Sequence, residues 1–177
     1  MGLIMKLNIN VLILPIGEVD HKALETLRIR LEQIFNKVEL LEPIDLLDSA
    51  YNPKREQYLS NKFLAQVKKV PGEHILGVTD VDLYTPDLNF VFGQAELPGK
   101  AAVISIVRLH SNNEELFNSR MVKEAVHEIG HTLGLRHCPD IHCVMHFSNC
   151  LGDTDVKGEE YCIRCQKLLK TTILPGL

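Results

Sequence analysis

The feature that most constrains this chain is a short stretch that runs from Glu124 to Cys138. Within it, His127 and His131 are four positions apart, which on a helix places them roughly 40° apart on one face, one turn above the other. Two imidazoles so related are suited to binding one metal ion. Glu128 lies about 100° round the helix from His127, so it is predicted to reach a metal-bound water without being a ligand.

A possible third ligand follows a predicted helix end. Gly134 comes three residues after His131, and a glycine there favours the left-handed conformation that ends a helix and reverses the chain. That reversal would deliver His137 as a third nitrogen ligand. Three neutral ligands and one open position are typical of a catalytic zinc. The alternative, an amphipathic helix whose histidines merely hydrogen-bond in the core, would make the glycine and the third histidine coincidences.

A second constellation comes from cysteines, all five of which lie in the last quarter of the chain. Cys138 and Cys143 are separated by four residues, and Cys162 and Cys165 by two, which predicts a structural zinc held by four thiolates. Its binding energy would stabilise a segment that is too poor in large apolar residues to form its own core. Four free thiols or a nucleic-acid zinc ribbon are the alternatives, and Cys150 is expected to be a spectator.

Three more residues lie near these groups in sequence. Met145 follows His137 by eight positions and is expected to pack as an apolar floor beneath the histidines. His142 and His146 remain alternative ligands, although neither has the helical or turn offset that favours the other three.

The composition limits the partners and the location. The 177 residues suit one domain, and the net charge of -4 with a pI near 6.1 gives no basic footprint for nucleic acid or acidic membranes. No apolar run approaches the roughly 18 residues of a membrane helix, and the N-terminus is predicted to be a strand rather than a signal peptide. With unpaired cysteines beside histidines, this favours a cytoplasmic monomer that binds neither nucleic acid nor membranes.

Apolar patterning predicts alternating strands and helices, and hence a mixed, largely parallel sheet with helices packed on it. The expected strands cover residues 7–14, 38–41, 74–79, 90–95 and 101–109. The first expected helix is capped by Asp20, with an apolar stripe that continues to Val38. Further helices are expected over 53–70, from Asn113 through the histidine pair, and over 158–169.

Taken together, the motifs resemble those of a known family. His127-Glu128-x-x-His131-x-x-Gly134-x-x-His137-Cys138, followed by Cys143-x-Met145 and Cys162-x-x-Cys165, is similar to the signature of the archaemetzincins, a branch of the metzincin metalloproteases. The segments 51–58 and 104–109 also resemble that family, so the likeness spans most of the chain.

The resemblance implies a metzincin-like zincin fold of the mixed α/β (α+β) class in a single catalytic domain, residues 1–177. An N-terminal lobe, 1–134, would hold a twisted mixed sheet, its helices and the active-site helix. A small C-terminal lobe, 135–177, would hold the Met-turn and the cysteine site. The resemblance also implies two zinc ions per chain. One is catalytic, on His127, His131 and His137, and the other is structural, on Cys138, Cys143, Cys162 and Cys165. It also implies that Met145 is the Met-turn methionine.

The expected function is hydrolysis of peptide bonds in a peptide or protein substrate by a zinc-bound water, with Glu128 as general base. The substrate would add to an edge strand over residues 90–95. Phe147 stands where some metzincins carry a tyrosine, and the chain enters its first strand without a pro-segment. A zinc-stabilised binding or regulatory protein with a weak or blocked active site is therefore the alternative.

Overall fold

The structure is a computed structural model that describes residues 6–173 of the chain. In chain order, the elements are β1 (Leu7–Ile16), α1 (His21–Leu31), β2 (Phe35–Leu40), a short 3-10 helix (Asp48–Ala50), β3 (Tyr51–Asn52), β4 (Gln57–Leu59), α2 (Ser60–Val67), β5 (His74–Thr79), β6 (Leu83–Thr85), β7 (Leu88–Val91), β8 (Gly93–Ala95), β9 (Ala101–Ser105), α3 (Glu114–Thr132), α4 (Leu151–Val156) and α5 (Ile163–Ile173).

The strands form two sheets. The main sheet has five strands in the order β2-β1-β5-β9-β8, and its strands are parallel except for β8, which runs antiparallel to β9 at one edge. A smaller sheet has the order β3-β4-β6-β7 and mixes both orientations. The predicted mixed, largely parallel sheet with packed helices is confirmed, whereas the smaller sheet was not predicted.

The alternation of side chains along β1 shows how the main sheet is covered on both faces. Val11 and Ile13 pack in one core with residues of α1 and α3. Leu14 and Ile16 belong to a second core with Phe63 of α2. Since successive side chains of a strand point to opposite faces, α1 and α3 cover one face of the sheet and α2 covers the other.

The C-terminal segment packs on α3 through the first of these cores. Val144, Met145 and Tyr161 are buried in the same cluster as the apolar side of α3. The Tyr161 hydroxyl donates to the Val126 carbonyl oxygen at 2.8 Å. The Arg120 guanidinium donates to both carboxylate oxygens of Asp155, at 2.7 and 2.8 Å. These contacts fix the segment that carries Met145 against the helix that carries the histidine pair.

The prediction for the first helix was right about its start and wrong about its end. Asp20 caps it by accepting a hydrogen bond from the Ala23 amide at 3.0 Å. The helix ends at Leu31, however, and β2 begins at Phe35. Phe35 and Val38 pair with Leu7 and Val11 of β1, and their side chains are buried in the first core. The apolar residues of a buried parallel strand also fit the spacing of a helical stripe. Spacing alone therefore did not distinguish β2 from a continuation of α1.

The second predicted helix, over 53–70, is also corrected. Only Ser60–Val67 is helical, because Glu56 adopts a φ of 53°, outside the helical region, and the chain then enters β4. Gln57 is buried there and donates to the Asp82 carboxylate at 2.9 Å. The contact with Asp82, distant in sequence, therefore favours a strand over the helix that local propensity suggested.

Other boundaries also differ from the predictions. The strand expected over 90–95 is divided between β7 of the smaller sheet and β8 of the main sheet, and the strand expected over 101–109 ends at Ser105. The last helix covers Ile163–Ile173 rather than 158–169, and α4 was not predicted. The predicted lobes 1–134 and 135–177 include residues 1–5 and 174–177, which lie outside the described part of the chain.

Candidate metal centres and cleft

The longest helix and the turn after it position the three histidines. Asn113 caps α3 by accepting a hydrogen bond from the Leu116 amide at 3.1 Å, as predicted. At the other end, the Leu135 amide donates to the Gly130 carbonyl oxygen at 3.0 Å, and Gly134 has a φ of +92°. That value lies in the region that favours glycine. The chain thus reverses at the glycine that the sequence indicated and returns past the helix end.

The reversal brings the three predicted imidazoles together. Each of His127, His131 and His137 offers a ring nitrogen, and these three atoms lie within 4.8 Å of one another. The ring centroids are 4.7 Å apart for His127 and His131, 5.4 Å for His127 and His137, and 5.0 Å for His131 and His137. Among the described residues, the three histidines and the four cysteines are the groups that could hold a metal ion.

The hydrogen bonds of two rings show why a cation fits between them. Nδ1 of His127 lies 2.8 Å from the Val144 carbonyl oxygen, and Nδ1 of His131 lies 2.7 Å from the Leu135 carbonyl oxygen. Because a carbonyl oxygen only accepts, each Nδ1 carries the proton and each Nε2 presents a lone pair. The two Nε2 atoms are only 3.1 Å apart, close to the roughly 3.3 Å of two nitrogens on one tetrahedral zinc.

The surroundings of all three imidazoles favour the neutral form, which is the form that binds metals. Burial lowers the pKa of His127 well below the ordinary value, and the positive charge of Lys157 lowers it further. Burial is also the main cause of the lowered pKa values of His131 and His137. A proton shared between the Nε2 atoms is therefore disfavoured, and a zinc ion fits the donor set.

Glu128 is buried beside the histidines and lies directly against β8. Burial raises its pKa to about 8, and the nearby charge of Glu124 raises it as well, against a lowering by Lys157. A Cβ atom added to Gly93 would lie 2.6 Å from Cγ of Glu128, 2.7 Å from its Oε1 and 2.8 Å from the Val103 carbonyl oxygen. The bare backbone at Gly93 therefore leaves room for the Glu128 carboxylate.

The four predicted cysteines also meet. One Sγ atom from each of Cys138, Cys143, Cys162 and Cys165 lies within 4.8 Å of the other three. The distances are 3.7 Å from Cys138 to Cys162 and 3.8 Å from Cys143 to Cys165, as expected for sulfurs at about 2.3 Å from one tetrahedral zinc. Burial raises the pKa of the Cys143 thiol to about 11, so a thiolate at that position requires a bound cation.

The remaining predicted residues lie close to these groups but outside both. Met145 is fully buried, and its sulfur packs against α3, 2.4 Å from where a Cβ on Gly130 would lie. Nδ1 of His146 lies 2.9 Å from the Cys138 carbonyl oxygen, and His142 is exposed; neither belongs to the three-histidine group. The exposed Cys150 donates to the Asp153 carboxylate and stands apart from the other thiols.

The histidines open onto a cleft of about 280 Å³. Its walls come from β7, β8, the loop after β8 and the start of the C-terminal segment; its lining includes Leu88, Gly93, Leu97, Glu124, Glu128 and Phe147. The Phe147 ring packs on His137 with centroids 5.0 Å apart. A larger cavity, of about 710 Å³, lies where β1 and β2 end and contains none of the predicted site residues. The smaller cleft is therefore the candidate active site, because the three histidines and Glu128 line it.

Three residues of this region were missed from the sequence. Two of them, Lys157 and Glu124, form a buried ion pair: Nζ of Lys157 lies 3.0 Å from Oε1 of Glu124, and the side chains are 0% and 4% exposed. The third is Gly93. Glu124 precedes Glu128 by one helical turn, a spacing that pointed to the same face. Nothing in the local sequence marks Lys157 or Gly93, because both act through contacts that are distant along the chain.

Comparison with known proteins decides the family. The model of peptidase family M54 matches residues 19–171. The chain is 42% identical to the archaemetzincin of Methanocaldococcus jannaschii over 172 residues, covering 94% of this chain and 96% of the relative. The chain belongs to peptidase family M54, the archaemetzincins.

Solved structures of the family agree with the fold. The crystal structure of an archaemetzincin from Methanopyrus kandleri superposes with a TM-score of 0.86 at 37% identity, covering 94% of this chain and 96% of that one. An archaemetzincin from Archaeoglobus fulgidus, in complex with malonate, gives 0.84 at 43% identity, covering 89% and 98%. The expected family and fold are confirmed, and membership makes the chain a zinc metallopeptidase that acts on peptides. Among the described residues, no helix has the length and apolar character needed to cross a bilayer.

Proposed function

We propose that the three-histidine site is the catalytic centre of this peptidase, with His127, His131 and His137 as zinc ligands and Glu128 as general base. The observation that carries the proposal is the pair of Nε2 lone pairs held 3.1 Å apart, next to a carboxylate. Zinc with three neutral ligands and one open position acidifies water and polarises a scissile carbonyl.

The protein's own residues supply the proton transfers and the geometry. The Glu128 carboxylate accepts a proton from the attacking water and delivers it to the leaving amine. Gly93 leaves the space in which that carboxylate lies against β8. The carbonyl oxygens of Val144 and Leu135 hold the rings of His127 and His131 by accepting from Nδ1. The fully buried Met145 supports this end of α3 from below, the position of a Met-turn methionine.

We infer a second, structural zinc on Cys138, Cys143, Cys162 and Cys165, which gives two ions per chain. It is supported by the 3.7 and 3.8 Å sulfur separations. Four protein ligands leave no place for water, so this ion would stabilise the C-terminal lobe. The proposed unit is one catalytic domain, with a lobe boundary after Gly134. A cytoplasmic monomer without nucleic-acid or membrane partners is part of the proposal; the acidic pI of about 6.1 and the thiol cluster support it.

The test compares wild-type protein with Glu128→Ala and with the control Glu39→Ala, whose side chain is 51% exposed. Each zinc-loaded protein is incubated with a peptide pool from denatured protein, and products are identified by mass spectrometry. We expect Glu128→Ala to keep two zinc ions and to lose about 10²- to 10⁴-fold in rate, while the control keeps full activity. Products formed by Glu128→Ala at the wild-type rate would refute the role of Glu128. Wild-type protein with both ions and no products would favour the binding or regulatory alternative.

A further inference from the structure

The mouth of the cleft is apolar. Leu88, Leu97 and Phe147 line it and are 47%, 44% and 41% exposed. They come from three separate segments: β7, the loop after β8 and the loop after Met145. Single exposed apolar side chains are ordinary on protein surfaces, whereas several that converge on one concave site indicate a binding surface. We call these three residues the apolar rim.

The charges of the cleft disfavour an acidic ligand. Within the described part of the chain, no lysine or arginine lines it, and its carboxylates are those of Glu124 and Glu128. The Lys157 ammonium is fully buried and already paired with Glu124. A carboxylate on a ligand side chain would therefore find no lysine or arginine in the described lining to pair with, and away from the histidines its desolvation would be uncompensated.

The shape of the cleft suits an extended chain with one or two large side chains. β8 is the outermost strand of the main sheet, so an extended peptide is able to pair with its free edge. Alternate side chains of such a peptide point to the same side. The volume of about 280 Å³ is just below the roughly 300–1,000 Å³ typical of ligand pockets. The side chain of Gln94, on β8, is already engaged within the protein, because its amide oxygen accepts from the Ser60 hydroxyl at 2.5 Å.

We propose that the apolar rim selects extended peptides that carry a large apolar side chain beside the cleaved bond, and that the cleft rejects acidic side chains there. The inference rests on the proposed peptidase function, because it places the scissile bond at the three histidines. It adds the specificity-determining residues Leu88, Leu97 and Phe147 and the substrate class.

The experiment measures binding separately from cleavage. Zinc-loaded Glu128→Ala protein is titrated with three blocked, fluorescently labelled nonapeptides that differ only in a central leucine, serine or glutamate. We expect the leucine peptide to bind about tenfold more tightly than the serine peptide. The glutamate peptide should bind more weakly than the leucine peptide, because Glu124 remains in this variant and no lysine or arginine lines the described cleft. Leu88→Ser and Leu97→Ser, each made in the same background, should reduce the preference for leucine. Phe147 is left intact because its ring packs on His137.

Ile29→Ser is the matched control, since Ile29 is 52% exposed on α1 and does not line the cleft; it should keep the full preference. Equal affinity for the three peptides, or a preference that survives both leucine substitutions, would overturn the inference. Cleavage of all three peptides by wild-type protein with equal efficiency would overturn it as well, while leaving the peptidase function intact. Selective binding of the leucine peptide without cleavage by wild-type protein would support the rim and contradict the proposed function.

Discussion

The ion pair between Lys157 and Glu124 joins the C-terminal segment to α3 next to the cleft, and its removal gives a quantitative prediction. The pair is almost entirely withdrawn from water, with side-chain exposures of 0% and 4% and a separation of 3.0 Å. In Lys157→Met, the Glu124 carboxylate would stay buried without its cation. Among the described residues, it would keep the hydrogen bond from the Thr154 hydroxyl, at 3.2 Å. We expect the free energy of unfolding to fall by about 3–5 kcal/mol, as for other buried pairs that lose one partner.

The double variant Lys157→Met/Glu124→Gln separates the lost pair from the stranded charge. The amide is neutral and still accepts from Thr154, so we expect the double variant to regain most of the lost stability. The assay is urea unfolding of zinc-loaded protein followed by circular dichroism. With a slope of roughly 2 kcal/mol per molar urea, Lys157→Met should lower the midpoint by about 2 M.

The control is Lys22→Met, whose side chain is 74% exposed in its pair with Glu114; its midpoint should not move. Lys157→Met with a midpoint within about 0.5 M of wild type would refute the reasoning. A double variant that is no more stable than Lys157→Met would refute it too, since neutralising the stranded Glu124 would then restore no stability.

Three further predictions concern the cleft, the thiol site and the junction of the lobes. Gly93→Ala should displace the Glu128 carboxylate and lower kcat at least about tenfold with little change in KM. In Gly77→Ala, also in the main sheet, the added Cβ would lie 2.7 Å from Val67 rather than against Glu128, so kcat should be retained; peptide-cleavage kinetics distinguish the two variants. Cys143→Ser should reduce bound zinc from two ions to one by elemental analysis and should destabilise the C-terminal lobe. The Arg120 hydrogen bonds lower the pKa of Asp155. The stabilising effect of the Asp155 carboxylate is therefore present above the unfolded pKa of about 3.9 and is lost as pH falls through the folded value. Asp155→Asn should therefore have a lower urea midpoint than wild type at pH 7, and the two midpoints should converge in acid.

The two candidate metal-binding groups were predictable because their geometry is local. Two histidines one helical turn apart must share a face, and a glycine three residues later permits the reversal that brings in a third. The cysteine pairs carry the same kind of short-range information, and the structure brings their sulfurs together. Sequence spacing thus identified the members of both groups, while ligation itself remains a prediction.

The parts that the sequence did not reveal depend on contacts between distant segments. The strands of the smaller sheet have two to four residues each, too few to display an alternating pattern. In the sequence, Phe35 and Val38 fit the apolar pattern of a helix as well as that of a strand. Only their pairing with β1 in the folded structure shows that they belong to a strand. Lys157 resembled an ordinary surface lysine, and only the packed structure shows that it is buried against Glu124.

The central claim, that three imidazoles converge on one zinc ion, is tested most directly by anomalous diffraction at the zinc edge from crystals of zinc-loaded protein. We expect one peak bonded to His127, His131 and His137, with nitrogen distances of about 2.0–2.1 Å. We expect a second peak among the four cysteine sulfurs at about 2.3 Å. A strong peak at the sulfurs with no density between the imidazoles would contradict the claim.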